Sequence, residues 1–229
     1  MKDILSNIKI AVNEKLYVKN PESSDLGKKI IENSIFLIDE IGFDKFTFKK
    51  LGTKIGSNES SIYRYFDSKH KLLLYLSSWY WCWMEYRMVF ATANIENPME
   101  KLKKAIEIVT ERIEDDTETA YVDEAILNRI IILEFTKTFL TKEVDIENKE
   151  GFFLVYKAVI NRLIAMITAV NTDFKFAKSL ASSIVEGALH QHFLGQHLKT
   201  ITNCDDQTSP SEFYLNIISG ILQKPKHKI

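Results

Sequence analysis

The sequence predicts an all-α fold, and three observations carry that prediction. Glycine supplies 8 and proline 4 of the 229 residues, against an average glycine use of roughly 7%, which disfavours turn-rich β architectures and glycine-rich phosphate loops. Apolar residues recur at spacings of three and four between residues that start and stop helices. No proline lies between Met99 and Ser209. With 45% hydrophobic and 27% charged residues the chain can bury a real core, and its length suits one sizeable domain or two small ones.

In chain order, residues 1–20 are weakly amphipathic through Ile4, Ile8 and Val12, which reads equally as an extra helix or as a floppy arm. Ser23-Ser24-Asp25 offers N-caps to a helix carrying Leu26, Ile30, Ser34, Leu37, Ile38 and Ile41, with Gly42 suited to the left-handed position after it. Thr47 caps a short second helix, Phe48 to Ile55, that Gly56 stops. Asn58 caps a third, Glu59 to Tyr65, and Ser68 a fourth that starts at Lys69 and runs past Tyr86 without a breaker. Only Gly56-Ser57-Asn58 separates the second from the third, the connection of a helix-turn-helix. Asn97-Pro98-Met99-Glu100 opens a helix near 98–114 with Asn as cap, Pro at N1 and Glu at N3. Further helical segments follow near 119–139, 150–169, 174–198 and 212–223.

Several classes are disfavoured by composition. Two cysteines, Cys82 and Cys204, make no disulfide framework, and no C-x-x-C pair is present for a metal. The longest stretch without an acidic or basic residue is Leu72 to Met84, 13 residues, short of the roughly 18 that suggest a membrane span. Asp3 and Glu14 interrupt any apolar run at the start, so no secretion signal is expected and the expected location is cytoplasmic. No cofactor fingerprint or catalytic motif is legible, so no cofactor, metal or enzymatic activity is expected. Glu186, His190 and His197 share one face of a helix, but a polar interface explains them more simply than zinc or catalysis.

The net charge of −1 hides an asymmetry. Residues 1–75 carry 13 Lys/Arg against 10 Asp/Glu, and Lys45–Lys71 carry seven basic residues against Glu59 and Asp67. Such a local basic patch on a near-neutral chain suits a face that meets an anion, or a plain solvated surface. Within it, FTFKKLGTKIGSNESSIYRYFDSKHKLL, residues 46–73, resembles the DNA-binding signature of the tetracycline-repressor-like (TetR/AcrR) transcriptional regulators. Ile62-Tyr63-Arg64-Tyr65-Phe66, Ser68-Lys69 and Leu72-Leu73 carry the likeness, extended by Gly56 and Thr47.

That resemblance implies an N-terminal three-helix DNA-binding domain followed by a helical-bundle ligand-binding and dimerisation domain. The expected division is an extension at 1–22, the helix-turn-helix at 23–70 and the effector and dimerisation part at 71–229. It further implies a ligand-responsive regulator, a repressor in the commonest case, bound as a homodimer to a pseudo-palindromic double-stranded operator. Glu59, Ser60 and Tyr63 form the short polar side that a recognition helix needs. Thr47, Lys49, Ser61, Tyr63, Tyr65 and Lys69 stand where the family contacts phosphates. Three residues depart from the pattern: Ser57 in the turn, Gly52 inside a helix where it should cost about 1 kcal/mol against Ala, and Glu59, an acid that can accept from cytosine N4.

Downstream, Trp79, Trp83, Tyr86 and Phe90 share a face of the fourth helix, and Phe135, Phe139, Phe153 and Tyr156 could complete a cavity for a small hydrophobic or aromatic effector. Arg87, Arg129 and Glu134 read as its polar anchors or as surface charges. The segment 174–198 holds Ser182, Ser183, Gly187 and Ala188 beside Ile184, Leu189, Phe193 and Leu194. Ile184, Gly187, Ala188, Phe193 and Leu194 are therefore expected at the dimer interface, although small residues also pack within a monomer. A helical protein-interaction module without DNA binding, or a helical enzyme, are the competing readings.

Overall fold

The structure is a computed structural model that describes residues 10–113, 121–205 and 207–222. Among the described residues it is all-helical: α1 Asp25–Ile41, α2 Phe48–Ile55, α3 Glu59–Tyr63, α4 Lys69–Thr92, α5 Pro98–Thr110, α6 Glu124–Phe139, α7 Val144–Lys149, α8 Leu154–Val170, α9 Ala177–His197 and α10 Pro210–Ile221. Single 3-10 turns stand at Glu14–Leu16, Pro21–Ser23 and Lys199–Ile201. The expected end of the 98–114 helix and start of the 119–139 helix fall at 114–120, outside the described residues, as do Ile4 and Ile8.

Helix starts are set by local side chains that accept otherwise orphaned amides. Ser24 Oγ takes the N–H of Gly27 at 3.2 Å, Thr47 Oγ1 that of Lys50 at 3.2 Å, and Asn58 Oδ1 that of Ser61 at 2.8 Å. Asn97 accepts from both Met99 and Glu100, and Ser209 from Glu212. Several boundaries differ from the sequence reading: α5 already ends at Thr110, α6 starts at Glu124, α8 at Leu154 and α9 at Ala177, and the short α7 stands between α6 and α8. α3 stops at Tyr63, because Arg64 is its C-cap and the chain then turns inward to bury Tyr65 and Phe66.

Contacts group the chain into two compact units, Met1–Trp83 with Ile113–Val155, and Met84–Arg112 with Tyr156–Ile229. In the first unit α1 packs on α2, on α6 and on the turn Pro21–Ser23, while α2 packs on α3. Ile30, Ile31, Ile35, Phe46, Leu51, Ile62 and Phe66 lose all their exposure there. The first half of α4 is buried on every side from Leu72 through Met84, so its tryptophans are not a stripe on one face. Trp79 and Trp83 stack at 6.4 Å, and Trp81 meets Phe135 edge-on at 5.6 Å. Asn128, buried beside them, donates to the Tyr80 hydroxyl at 2.8 Å. In the second unit α5 packs on α9 and α10, and those two pack on each other around Leu102, Ile106, Ile184, Ala188 and Ile218.

Candidate nucleic-acid interface

The α2–turn–α3 segment is held by backbone as much as by side chains. Gly56 has φ +67°, a left-handed conformation that costs an L side chain about 1–2 kcal/mol. The following Ser57 N–H returns to Gly52 O at 2.9 Å, closing the end of α2. Gly52 is the floor of this turn: a Cβ there would lie 2.9 Å from Ser57 O and 3.4 Å from the backbone of Asn58 and Glu59. The glycine that looked like a weak point of the second helix is thus what lets α3 approach it. Asn58 finishes the joint, since its Oδ1 also accepts from the hydroxyls of Ser60 and Ser61 at 2.8 and 2.7 Å.

From this joint α3 buries Ile62 and turns its polar side outward. Ser60 and Tyr63 are exposed, the latter 48%, and Glu59 and Ser61 are half-exposed. Thr47 and Lys49 are exposed at the start of α2. Phe48 holds the Tyr63 ring edge-on at 5.0 Å, so the tyrosine is oriented although it faces outward. Lys45, Lys49 and Arg64 have no acidic partner among the described residues, whereas Lys54 is paired with Glu40 at 3.1 Å. Lys45 and Arg64 were not among the contacts expected from the sequence, where nothing distinguishes a basic residue that will be paired from one that will not.

Tyr65 and Lys69 are engaged within the chain. Tyr65 is 4% exposed; its hydroxyl meets Ser24 Oγ at 2.8 Å and Lys19 Nζ at 3.4 Å. Lys69 Nζ donates to three carbonyls of the α1–α2 connection, Phe43 at 3.0 Å and Asp44 and Phe46 at 3.3 Å, and lies 4.7 Å from the Phe43 ring centre. These contacts occupy the donors that a phosphate would need.

The eight aromatic residues expected around an effector divide between the two units. Trp79, Trp83 and Phe135 are core side chains of the first unit, beside half-buried Phe139 and Phe153; Tyr86, Tyr156 and exposed Phe90 belong to the second. Tyr156 donates to Glu186 at 2.6 Å, and burial, then that carboxylate, push its phenol well above its ordinary range. Of the charged residues beside them, Arg129 forms a two-point pair with Asp39 at 3.0 and 2.8 Å, and Glu134 accepts the Phe43 N–H at 3.2 Å. Arg87 pairs with Glu111. A groove of about 750 Å³ lies elsewhere in the second unit, lined by Val89, Ile95, Lys101, Arg162, Ala165 and Met166 among others. No sequence signature marks it, because one wall comes from the α4–α5 stretch and the other from α8, about sixty residues on.

Of the five residues expected at a subunit interface, Ile184, Ala188 and Leu194 are buried within the chain itself. Gly187 is closed off by the Tyr214 ring of α10, whose hydroxyl stands where a Cβ would be. Phe193 remains half-exposed, flanked by the rings of His190 and His197. Gly187 therefore serves the approach of α10 in the same chain. Among the described residues no group of three or more metal-ligating side chains gathers, and no helix is long and apolar enough to cross a membrane.

Comparison with known proteins bears on the same segment. The family model described as bacterial regulatory proteins, tetR family, matches residues 30–76. No curated protein matches the sequence significantly. Among solved structures, AibR in complex with isovaleryl coenzyme A and operator DNA superposes with a TM-score of 0.59 at 14% identity, over 83% of this chain and 97% of that one. A protein from Saccharomonospora viridis assigned as a transcriptional regulator, in complex with choline, gives 0.61 at 16% identity over 86% and 98%. The superantigen PfiT gives 0.58 at 12% identity over 88% and 97%. At such identities the likeness is one of fold, and a fold hosts more than one function.

Proposed function

Residues 30–76 make this chain a member of the tetR family of bacterial regulatory proteins, and from that premise we propose how it works. It is a ligand-responsive, DNA-binding transcriptional regulator. As a homodimer on a pseudo-palindromic operator, each subunit lays α3 in a major groove, with repression as the default output. The observation that carries this is the outward side of α3, where Glu59, Ser60 and an oriented Tyr63 stand on a joint fixed by Gly52, Gly56 and Asn58. Thr47, Lys49 and Ser61 then contact phosphates with Lys45 and Arg64, while Tyr65 and Lys69 act from behind by holding the frame. The part up to residue 70 reads DNA and residues 71–229 sense and dimerise. No step in this scheme calls for catalysis, and a regulator of this kind works in the cytoplasm, where the DNA is.

For the effector, the groove supports a site better than the aromatic set does. Its volume of about 750 Å³ lies within the roughly 300–1,000 Å³ of ligand pockets, whereas Trp79, Trp83 and Phe135 already spend their faces on the core. AibR and the Saccharomonospora viridis protein each carry a small molecule, which supports an effector here too. It acts by its differential affinity for DNA-competent and incompetent states. For the dimer, α10 offers Phe213, 43% exposed, half-exposed Ile217 and Ile221, 44% exposed, on one face.

Selection of bound duplexes from a random pool tests the reading. Enrichment of a two-half-site sequence whose binding weakens steeply with salt is expected. A protein that enriches no sequence would instead be an interaction module or an enzyme on this fold.

A further inference from the structure

Residues 10–24, ahead of α1, lie outside the residues matched to the family, and they form neither a long helix nor a loose arm. Residues 10–24 run as two 3-10 turns joined by extended chain, pinned along the first unit. Ile10, Leu16 and Pro21 are buried, Leu16 completely. Tyr17 meets the Tyr75 ring edge-on at 6.1 Å. Glu22 accepts the hydroxyls of Tyr121 at 2.8 Å and Tyr75 at 3.5 Å. At the far end Asn13 donates to Glu150 O at 3.0 Å, and Lys15 pairs with the Glu150 carboxylate.

What this segment grips is the exit of α3. The N–H of Val18 donates to the carbonyl of Tyr65 at 2.8 Å. The phenol of the same tyrosine reaches Ser24 and Lys19, so the residue is clasped at its backbone and at its ring tip. A helix end leaves carbonyls without intrahelical partners, and here one just beyond α3 is satisfied by the strap. Ile62 and Phe66 fix α3 from inside and Asn58 fixes its start; the strap supplies the restraint at the other end.

We propose that residues 13–24 are a positioning strap for the recognition helix, acting through Tyr65 to set the pitch at which Glu59, Ser60 and Tyr63 are presented to base edges. The proposal rests on the DNA-binding reading above and deepens it. Base readout depends on placement to fractions of an ångström, whereas phosphate attraction tolerates looseness. Freeing the α3 exit therefore costs discrimination between operator and unrelated DNA, and leaves the salt-dependent affinity for any duplex in place.

Val18→Pro is the clean probe. It removes the N–H; the Val18 side chain is 65% exposed, and Tyr17 already has φ −138° and ψ 154°, the extended conformation that a following proline requires. Val18→Ala keeps the donor. Tyr65→Phe removes the ring-tip contacts and keeps the ring. The assay measures binding to the duplex selected by the wild type and to an unrelated duplex of equal length, corrected for active fraction, with melting temperatures alongside. Loss of one hydrogen bond corresponds to about five-fold, so V18P and Y65F are expected to lose about five-fold in operator affinity per subunit. Unrelated-duplex affinity stays within two-fold, and V18A matches the wild type. Operator binding by V18P equal to that of V18A overturns the proposal, as does an equal loss on both duplexes, which would make the strap a stabiliser only. A wild type that selects no sequence overturns the DNA-binding reading, and the strap's role with it.

Discussion

Gly52→Ala separates what a helix prefers from what this fold needs. By propensity alone the change stabilises α2 by about 0.5–1 kcal/mol, since Gly is a poor residue in a helix interior. In the structure the added methyl lies 2.9 Å from Ser57 O, closer than carbon approaches a carbonyl oxygen without displacement. The obstacle is backbone, and that backbone is tied to Gly52 by the Ser57 N–H bond of 2.9 Å and to α3 by the Asn58 cap. Overpacking of this kind costs about 1–3 kcal/mol, so the balance is a loss of about 1 kcal/mol, or about 2–4 °C in melting temperature for a chain of this size. The movement falls on Asn58 and Glu59, at the start of the recognition helix. One misplaced base contact costs about 1–3 kcal/mol, so operator affinity should fall at least about five-fold, more than the stability change accounts for. Thermal unfolding followed by circular dichroism, with operator binding measured well below the transition, reads both quantities. A variant that melts higher than the wild type and binds its operator unchanged would refute the close-approach argument.

Lys69→Met should lower unfolding stability by about 1–3 kcal/mol, because three carbonyls lose a charged donor, with no change in the salt slope of operator binding. Lys49→Ala should do the reverse, lowering that slope by about 1 at nearly unchanged stability; a reduced slope for K69M would return Lys69 to the phosphate contacts. Phe213→Glu should weaken the dimer at least about ten-fold in sedimentation by placing a charge on the apolar face of α10, and an undiminished dimer would put the interface elsewhere. Burial pushes the His192 imidazole below its ordinary value, outweighing its bond to Thr110 O at 2.9 Å, with Arg112 acting in the same direction as burial. The unfolded chain then takes up the proton more readily, so this contribution is intact above about pH 6.5 and is lost as pH falls below it. His192→Gln should flatten the fall in melting temperature between about pH 6.5 and 5, and an unaltered slope would contradict the assignment.

Four helix starts were legible in the sequence because they are decided within a few residues. Ser24, Thr47, Asn58 and Asn97 each accept an amide two or three positions on, and neither partner depends on the rest of the chain. The helix-turn-helix was legible for the same reason, since the turn glycine, the cap and the spacing of Leu51, Ile62 and Phe66 are all local. Tertiary structure decided which side of those helices stays outside. Tyr63 and Tyr65 stand two residues apart in one motif, yet one is 48% exposed and the other 4%; the difference comes from Ser24, Lys19 and Val18, more than forty positions earlier. Lys69 is one lysine among many until the α1–α2 connection brings three carbonyls to its ammonium. Gly187 and Ala188 look available for a second subunit until Tyr214 and the rest of the core cover them. The strap of residues 13–24 left almost no mark in the sequence, because its short turns carry no helical period and the partners that pin it, Tyr65, Tyr75, Tyr121 and Glu150, come from distant parts of the chain. Hydrogen bonds that close over three or four residues are written in the order of the amino acids. Burial and long-range pairing are properties of which surfaces meet, and only the folded chain determines them.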